Sequence, residues 1–363
     1  MIAWYRRDGR ELPWLQTRDP YRIWISEIML QQTTVAAVIP YFERFLERFP
    51  DVDALAEAPE EDVLRLWEGL GYYSRARNIH RAAQVVAREL KSRFPEEVEA
   101  LQALPGIGRY TAGAISSFAF DRRSPIVEAN TLRLYSRLMG MRDDPRSAAG
   151  QKRLWEFAQE ILPRSSPGEF NQALMELGAR ICTPEKPACH ECPIRRGCVA
   201  FAEGAQAEIP IPARRPTITE VTEVAVAIER SRKFLLLRRL PGERWAGLWD
   251  FVRFPWEYAG AGSTSAKRQS PANGASAEQI GNQIAQVTGI VAEVSEKLTE
   301  IRHSVTRYRI TLACFLAEWR EGEPQVESKW VTREELSEFP LSVTGRKIAR
   351  LLQQEGKKEA RLF

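Results

Sequence analysis

The repeat of apolar residues changes once along the chain, and that change limits the fold more than any other feature. Residues 1–200 place apolar side chains at three- and four-residue spacings, as in "YRIWISEIMLQQTTVAAV", "IPYFERFLERF" (with Pro40 suited to a first helical turn) and "EEDVLRLWEGLGYYSRARNIHRAAQVVARELKSRF". That is the period of amphipathic helices, and the two-residue alternation of strands is almost absent before residue 205. A proline-rich stretch, "AEIPIPARRPTITE", then gives way to short β-branched or aromatic runs: "VTEVAVAIE", "KFLLLRR", "RYRITLACFLAEW" and "SKWV". The pattern predicts an all-α domain over 1–206, a linker over 207–220 and an α+β domain over 221–356. Within the latter, helices are expected near 279–288 and 343–354, and the Gly/Ser/Ala-rich stretch 258–279 reads as a mobile insertion. A length of 363 residues suits such a multidomain chain.

Four of the five cysteines stand as C-x6-C-x2-C-x5-C, at Cys182, Cys189, Cys192 and Cys198. Four thiolates so close in sequence can converge on tetrahedral zinc or on an iron–sulfur cube, and spacing alone does not choose between them. Either centre is coordinatively closed, which makes it structural. The odd cysteine, Cys314, and the lack of a signal-like apolar start argue against a disulfide framework and for the cytosol. No apolar run is long enough to span a membrane. A net charge of +4 permits a nucleic-acid partner without demanding one, so local motifs must carry that inference.

Several do. "LPGIGRYTAGAI" breaks two helices at Gly106 and Gly108; glycines let backbone approach a ligand closely, and the amides opening the next helix can hold a phosphate. A plain packing corner explains the same residues equally well. "GLGYYSRARNIHRAA" sets paired tyrosines beside Arg75, Arg77 and Arg81, suited to stacking on bases and neutralising phosphates or to a solvated basic face. "LQQTT" offers amides for base edges or for water. Glu27 is embedded in "WISEIML", where burial would raise a carboxyl pKa toward the range of a general acid, though a partly exposed helix acid explains the same residues. Glu128, in "SPIVEANTLR", reads by itself as an ordinary acid at a helix start.

Taken in order, "GRELPW", "SEIMLQQT", "IPYFERFLERFP", "LWEGLGYYSRARN", "LPGIGRYTAGAI", "FNQALMELGARIC" and the cysteine cluster resemble the MutY adenine DNA glycosylases of the helix–hairpin–helix superfamily, from Gly9 to Cys198. The likeness continues loosely into a C-terminal domain resembling the Nudix fold. It implies a monofunctional enzyme acting as a monomer on duplex DNA, excising adenine mispaired with 8-oxoguanine or guanine by base flipping and hydrolysis of the N-glycosidic bond. By motif position, Glu27 resembles the general acid, Glu128 the second carboxylate, and Tyr110 and Asn130 the residues supporting them. Arg10, Trp14, Leu30 and Gln172 match the adenine pocket. Gln32 and Tyr72 match residues wedged beside 8-oxoguanine, with Thr33 and Leu70 near that base. The resemblance assigns the four cysteines a [4Fe–4S] cluster. Tyr110 occupies the hairpin position at which bifunctional relatives carry a lysine, which implies little strand cleavage.

Three departures stand out. Glu128 replaces the family aspartate and Ala129 the following glycine, leaving the charge on a side chain one methylene longer. Val305-Thr306-Arg307 replaces a Phe-Ser-His loop, so that Thr306 keeps a hydroxyl for 8-oxoguanine while the aromatic and histidine are lost. The Nudix-like part lacks the glutamate-rich magnesium box, so recognition is expected there rather than hydrolysis. The alternatives are a glycosylase for another mispaired base and a lesion-binding protein weakened by Glu128. The first motif lies so near Met1 that part of an N-terminal helix is expected to be missing.

Overall fold

The computed structural model describes residues 1–213, 217–256 and 276–359. These fall into two compact units: Met1–Ala58 with 75–213, and Pro59–Ser74 with the described residues from 217 onward. Most of the 258–279 insertion lies outside the described residues. Residues 59–74 precede much of the helical half in sequence, yet they pack with the sheet unit.

Up to residue 202 the chain forms α1 (Ile2–Asp8), α2 (Pro20–Leu30), α3 (Val35–Arg48), α4 (Val52–Glu57), α5 (Glu60–Leu66), α6 (Ser74–Glu89), α7 (Val98–Gln102), α8 (Arg109–Phe120), α9 (Ala129–Met139), α10 (Ala148–Ile161), α11 (Pro167–Arg180) and α12 (Val199–Ala202). Helix α2 begins at Pro20 with Asp19 as N-cap, its side chain accepting the Tyr21 amide. The apolar period running through "YRIWISEIMLQQTTVAAV" is broken at 31–34, where Gln32 takes a φ of 58°. Pro40 does not open a helix as its sequence context suggested; it lies inside α3. Helix α8 is buried along almost its whole length and packs on α2, α7 and α11.

The sheet unit contains β1 (Thr219–Arg230), β2 (Lys233–Arg238), β3 (Trp249–Asp250), β4 (Val252–Pro255), β5 (Val291–Val305), β6 (Tyr308–Glu321) and β7 (Ser328–Thr332), with α13 (Ala277–Thr288) and α14 (Val343–Glu359). Strand order is β3-β2-β1-β6-β5, with β4 on β1 and β7 on β2; β1 and β6 run parallel and the other pairs antiparallel. Alternation along β1 serves both faces. Val224, Val226 and Ile228 pack with Ile280 and Ile284 of α13, while Ala225 and Ala227 pack with Ile348, Ala349 and Leu352 of α14. The expected helices and all four expected strands are present. Strand β5 carries no obvious apolar run because it pairs only with β6, and its charged side chains suit an edge. Strand β1 starts at Thr219, two residues inside the stretch read as linker. Among the described residues, no helix is long and apolar enough to cross a membrane.

Candidate active site

A cleft of about 760 Å³ opens in the helical unit. Its lining includes Arg10, Trp14, Glu27, Leu30, Gln32, Thr33, Tyr110, Glu128, Asn130 and Gln172, ten residues separated in sequence by up to 162 positions (172 − 10). The resemblance alone had grouped them.

Glu27 is 5% exposed on α2 among Ile23, Trp24, Ile25 and Ile28. The C-terminal carbonyls of this helix, which have no intrahelical partner, are met by Arg75. Its Nη1 donates to Ile28 O at 2.6 Å, Met29 O at 3.2 Å and Gln31 O at 2.6 Å. Arg75 is therefore buried and committed to a helix end; it is not part of a basic face that meets phosphate. Tyr110, the second residue of α8, donates its hydroxyl to Glu27 Oε2 at 2.5 Å, and Met175 Sδ lies 3.7 Å from the Tyr110 hydroxyl oxygen. Burial pushes the Glu27 carboxyl up to about 7; the Tyr110 hydrogen bond opposes that rise and the nearby Glu128 charge adds to it. Burial and the Glu27 charge hold the Tyr110 hydroxyl firmly protonated, which fixes it as a donor.

Glu128 is the N-cap of α9. Its Oε2 accepts the Asn130 amide at 2.8 Å and its Oε1 the Thr131 amide at 2.8 Å. Thr131 Oγ1 accepts the Glu128 amide at 2.8 Å, completing a capping box. Burial raises the Glu128 carboxyl above its ordinary value, against the lowering pull of those two amides and of Arg133. Asn130 Oδ1 accepts Arg133 Nη2 at 2.9 Å. Helices α9 and α11 approach closely here because Gly178 lacks a side chain; a Cβ would lie 2.8 Å from Asn130 Cβ.

Three further cleft residues make contacts that sequence reasoning did not foresee. Glu176, 5% exposed, accepts Arg10 Nε at 2.9 Å and Nη2 at 2.7 Å in a bidentate pair, and also the Arg10 amide at 3.1 Å. Tyr5 donates to Gln172 Oε1 at 3.4 Å, and burial followed by the Glu176 charge pushes its hydroxyl up to about 12. Met175 is the third. Gln172, Met175 and Glu176 share one face of α11 at i, i+3 and i+4, a signal available in "NQALMELG". Tyr5 carries no comparable signal.

The cysteine loop hangs on α9. Arg137, 2% exposed, donates Nε to Ile209 O at 2.9 Å, Nη1 to Thr183 O at 2.7 Å and to Cys182 Sγ at 3.3 Å, and Nη2 to Pro184 O at 2.9 Å. Arg133 Nε donates to Cys182 O at 2.7 Å. Cys192 and Cys198 are raised above the ordinary thiol value, first by burial and further by the other thiols of the group. Four mutually felt thiols beside a guanidinium suit an anionic iron–sulfur cube. Among the described residues, no three His, Cys, Asp or Glu side chains close around a single ion.

The remaining assigned residues stand elsewhere. Gly106 takes a φ of 76°, and a Cβ there would lie 2.5 Å from Asn78 Cβ; Gly108 is the N-cap of α8. Leu70 and Tyr72 belong to the sheet unit, with Tyr72 46% exposed at φ 49°. Thr306 forms the tip of the β5–β6 hairpin at φ 52°, its hydroxyl donating to Val305 O at 2.7 Å. Below that tip, buried Glu223 pairs with Arg253 and Arg244 on one face of the sheet.

The HhH-GPD superfamily of base excision DNA repair proteins matches residues 25–160, and the NUDIX domain matches residues 223–351. The adenine DNA glycosylase of Buchnera aphidicola subsp. Schizaphis graminum is 38% identical over 255 residues, covering 70% of this chain and 74% of that protein. The Homo sapiens adenine DNA glycosylase is 31% identical over 414 residues, 97% of this chain and 73% of that one. A solved thermostable thymine-DNA glycosylase superposes with a TM-score of 0.51 at 30% identity, covering 56% of this chain and 93% of that one. With relatives of that identity and coverage beside the cleft, the hairpin and the cysteine loop, the chain belongs to the adenine DNA glycosylase family.

Proposed function

We propose that this chain excises adenine placed opposite 8-oxoguanine or guanine in duplex DNA. The observation that carries the reading is the pairing of Glu27 and Glu128 in one cleft, the first with a pKa near 7 and the second on a helix N-terminus. Chemistry on a base inside a duplex requires it to leave the stack. Arg10, Trp14, Leu30 and Gln172 receive the flipped adenine. Protonated Glu27 gives its proton to a ring nitrogen as the bond from C1′ breaks, and the bonding pair leaves with the base. The Glu128 carboxylate stabilises the oxocarbenium ion that remains. Glu27, now ionised, takes a proton from the water that adds to C1′, which restores the acid. Tyr110 holds Glu27, and Asn130 supports Glu128.

No lysine lines this cleft among the described residues, so no side-chain amine is placed to attack the sugar, in keeping with monofunctional hydrolysis. On the DNA side, Gly106 and Gly108 bring hairpin amides to a phosphate. Gln32, Thr33, Leu70, Tyr72 and Thr306 meet the 8-oxoguanine side. Cys182, Cys189, Cys192 and Cys198 hold a [4Fe–4S] cluster, which supplies order to the DNA-binding loop and takes no part in the hydrolysis. The sheet unit recognises rather than hydrolyses, and the enzyme works as a cytosolic monomer.

Duplexes carrying A opposite 8-oxoguanine, A opposite G and T opposite G test the reading together. Alkali-labile abasic product is expected from the first two. Its absence from both, or excision confined to thymine, overturns the reading.

A further inference from the structure

We infer that the Glu68–Arg346 ion pair positions the loop carrying Leu70 and Tyr72, so that helix α14 governs how the base opposite adenine is read. The inference rests on the reading that these two residues meet that base.

Residues 59–74 pack with the sheet unit, and α5 is tied to it at both ends. Near its start, Glu61 Oε1 accepts Trp249 Nε1 from β3 at 3.0 Å. Two residues past its end, Glu68 accepts Arg346 Nε at 2.6 Å on one oxygen, and Nη2 at 2.8 Å with the Leu341 amide at 3.2 Å on the other. Both side chains of the pair are only 15% exposed. Arg346 is itself fixed from behind, with Nη1 donating to Leu336 O and Nη2 to Phe339 O, each at 2.6 Å. A planar fork engaged on both sides constrains angle as well as distance, which a lysine ammonium does not do.

The loop begins at the residue after Glu68. Gly69 at φ 100°, Gly71 at φ 73° and Tyr72 at φ 49° place three of its first four residues in the left-handed region. For tyrosine that conformation is strained, and it persists where the surroundings over-determine it. Trp67 Nε1 donates to Gly71 O at 3.2 Å, and Tyr73 Oη accepts the Gly69 amide at 3.2 Å. Leu70 and Tyr73 are buried, while Tyr72 is presented outward. The loop is thus internally stiff, and the ion pair is one of its anchors, placed at its base. An ion pair there tilts one aromatic ring and one leucine as a unit.

The test compares wild type with Glu68→Gln, Arg346→Lys, Arg346→Met and the double variant E68Q/R346M. Affinity is measured for duplexes with 8-oxoguanine or guanine opposite adenine, beside single-turnover excision and thermal midpoint. We expect the 8-oxoguanine-over-guanine affinity ratio to fall about tenfold or more in Glu68→Gln and Arg346→Lys, as loosened positioning predicts. The double variant should be no worse than Arg346→Met, because both remove one contact. Excision from A:G should stay within roughly twofold of wild type, since the cleft chemistry is untouched. An unchanged affinity ratio in folded Arg346→Lys or Glu68→Gln overturns the inference, as does an equal fold loss for both duplexes, which marks a brace without a reading role. Failure of wild type to excise adenine sinks the proposed function instead; the affinity ratio needs no turnover and judges the pair independently.

Discussion

Glu128 and Thr131 hold each other across the start of α9, each accepting the other's backbone amide at 2.8 Å. The extra methylene relative to aspartate is therefore absorbed by folding the carboxylate back over the helix N-terminus, where the aligned peptide dipoles favour negative charge. The side chain is both a cap and a wall of the cleft. A helix-start acid and a cleft carboxylate, opposed readings on sequence grounds, coincide in one group.

Glu128→Gln retains an acceptor for the cap and removes the charge. Excision should fall by at least about a hundredfold, the scale of losing one aligned charge-stabilising group. Stability should change by no more than about 1 kcal/mol, the scale of a modified cap. Glu128→Asp should cap equally well and match or exceed wild type. Single-turnover excision with urea unfolding measures both effects, and wild-type rates in Glu128→Gln would remove this carboxylate from the chemistry.

The raised pKa of Glu27 sets the alkaline limb of the rate. With Glu27 protonated and Glu128 ionised, excision should fall about tenfold per pH unit above about 7 and should fall again on the acid side as the Glu128 carboxylate takes up its proton. Tyr110→Phe removes the hydrogen bond that lowers this pKa, so the limb should move to higher pH. A pH profile at saturating enzyme reads both.

The same group costs stability. Its folded pKa lies above its ordinary 4.5, so its favourable contribution is complete below 4.5 and is lost as pH rises through about 7. Glu27→Gln should therefore be more stable than wild type above pH 7, by at most on the order of 3 kcal/mol, with the gain vanishing below 4.5. Thermal melts at two pH values decide; an equal gain at both would point to a cause other than ionisation.

Arg137→Gln strips donors from the carbonyls of Thr183, Pro184 and Ile209 and a charge from Cys182 Sγ. Buried carbonyls left unsatisfied cost about 1–3 kcal/mol each. Iron and sulfide per chain should drop together with the thermal midpoint, while Lys186→Gln, in the same loop, should retain both. Full iron occupancy in Arg137→Gln would show that the guanidinium is dispensable.

Tyr5 orients the Gln172 amide by donating to its oxygen, which turns the NH₂ group toward other partners. Tyr5→Phe should weaken substrate binding about fivefold, the scale of one neutral hydrogen bond, and leave the single-turnover rate at saturation unchanged. A loss confined to the rate would place Tyr5 in the chemical step.

Much of this was legible in the chain. The shift from helical to alternating period near residue 205, the glycine hairpin and the clustered cysteines are local patterns, set by residues within a turn or two of one another. The apolar neighbours of Glu27 left burial and partial exposure both open, and the structure decides for burial. Pro40 was misread because a helix tolerates proline in particular surroundings, and strand β5 was not anticipated because an edge strand needs no apolar run.

What only the tertiary structure decided are the partners of charged groups. Arg75 reads as one basic residue among several, and burial against the end of α2 turns it into a helix cap. Arg10 and Glu176 stand 166 residues apart, and Glu68 and Arg346 stand 278 apart. A carboxylate's neighbours fix its pKa, its orientation and its use, and those neighbours arrive from other elements. Local spacing determined which elements form and which chemistry they carry; packing determined which oxygen meets which donor, because electrostatics acts through space and not along the chain.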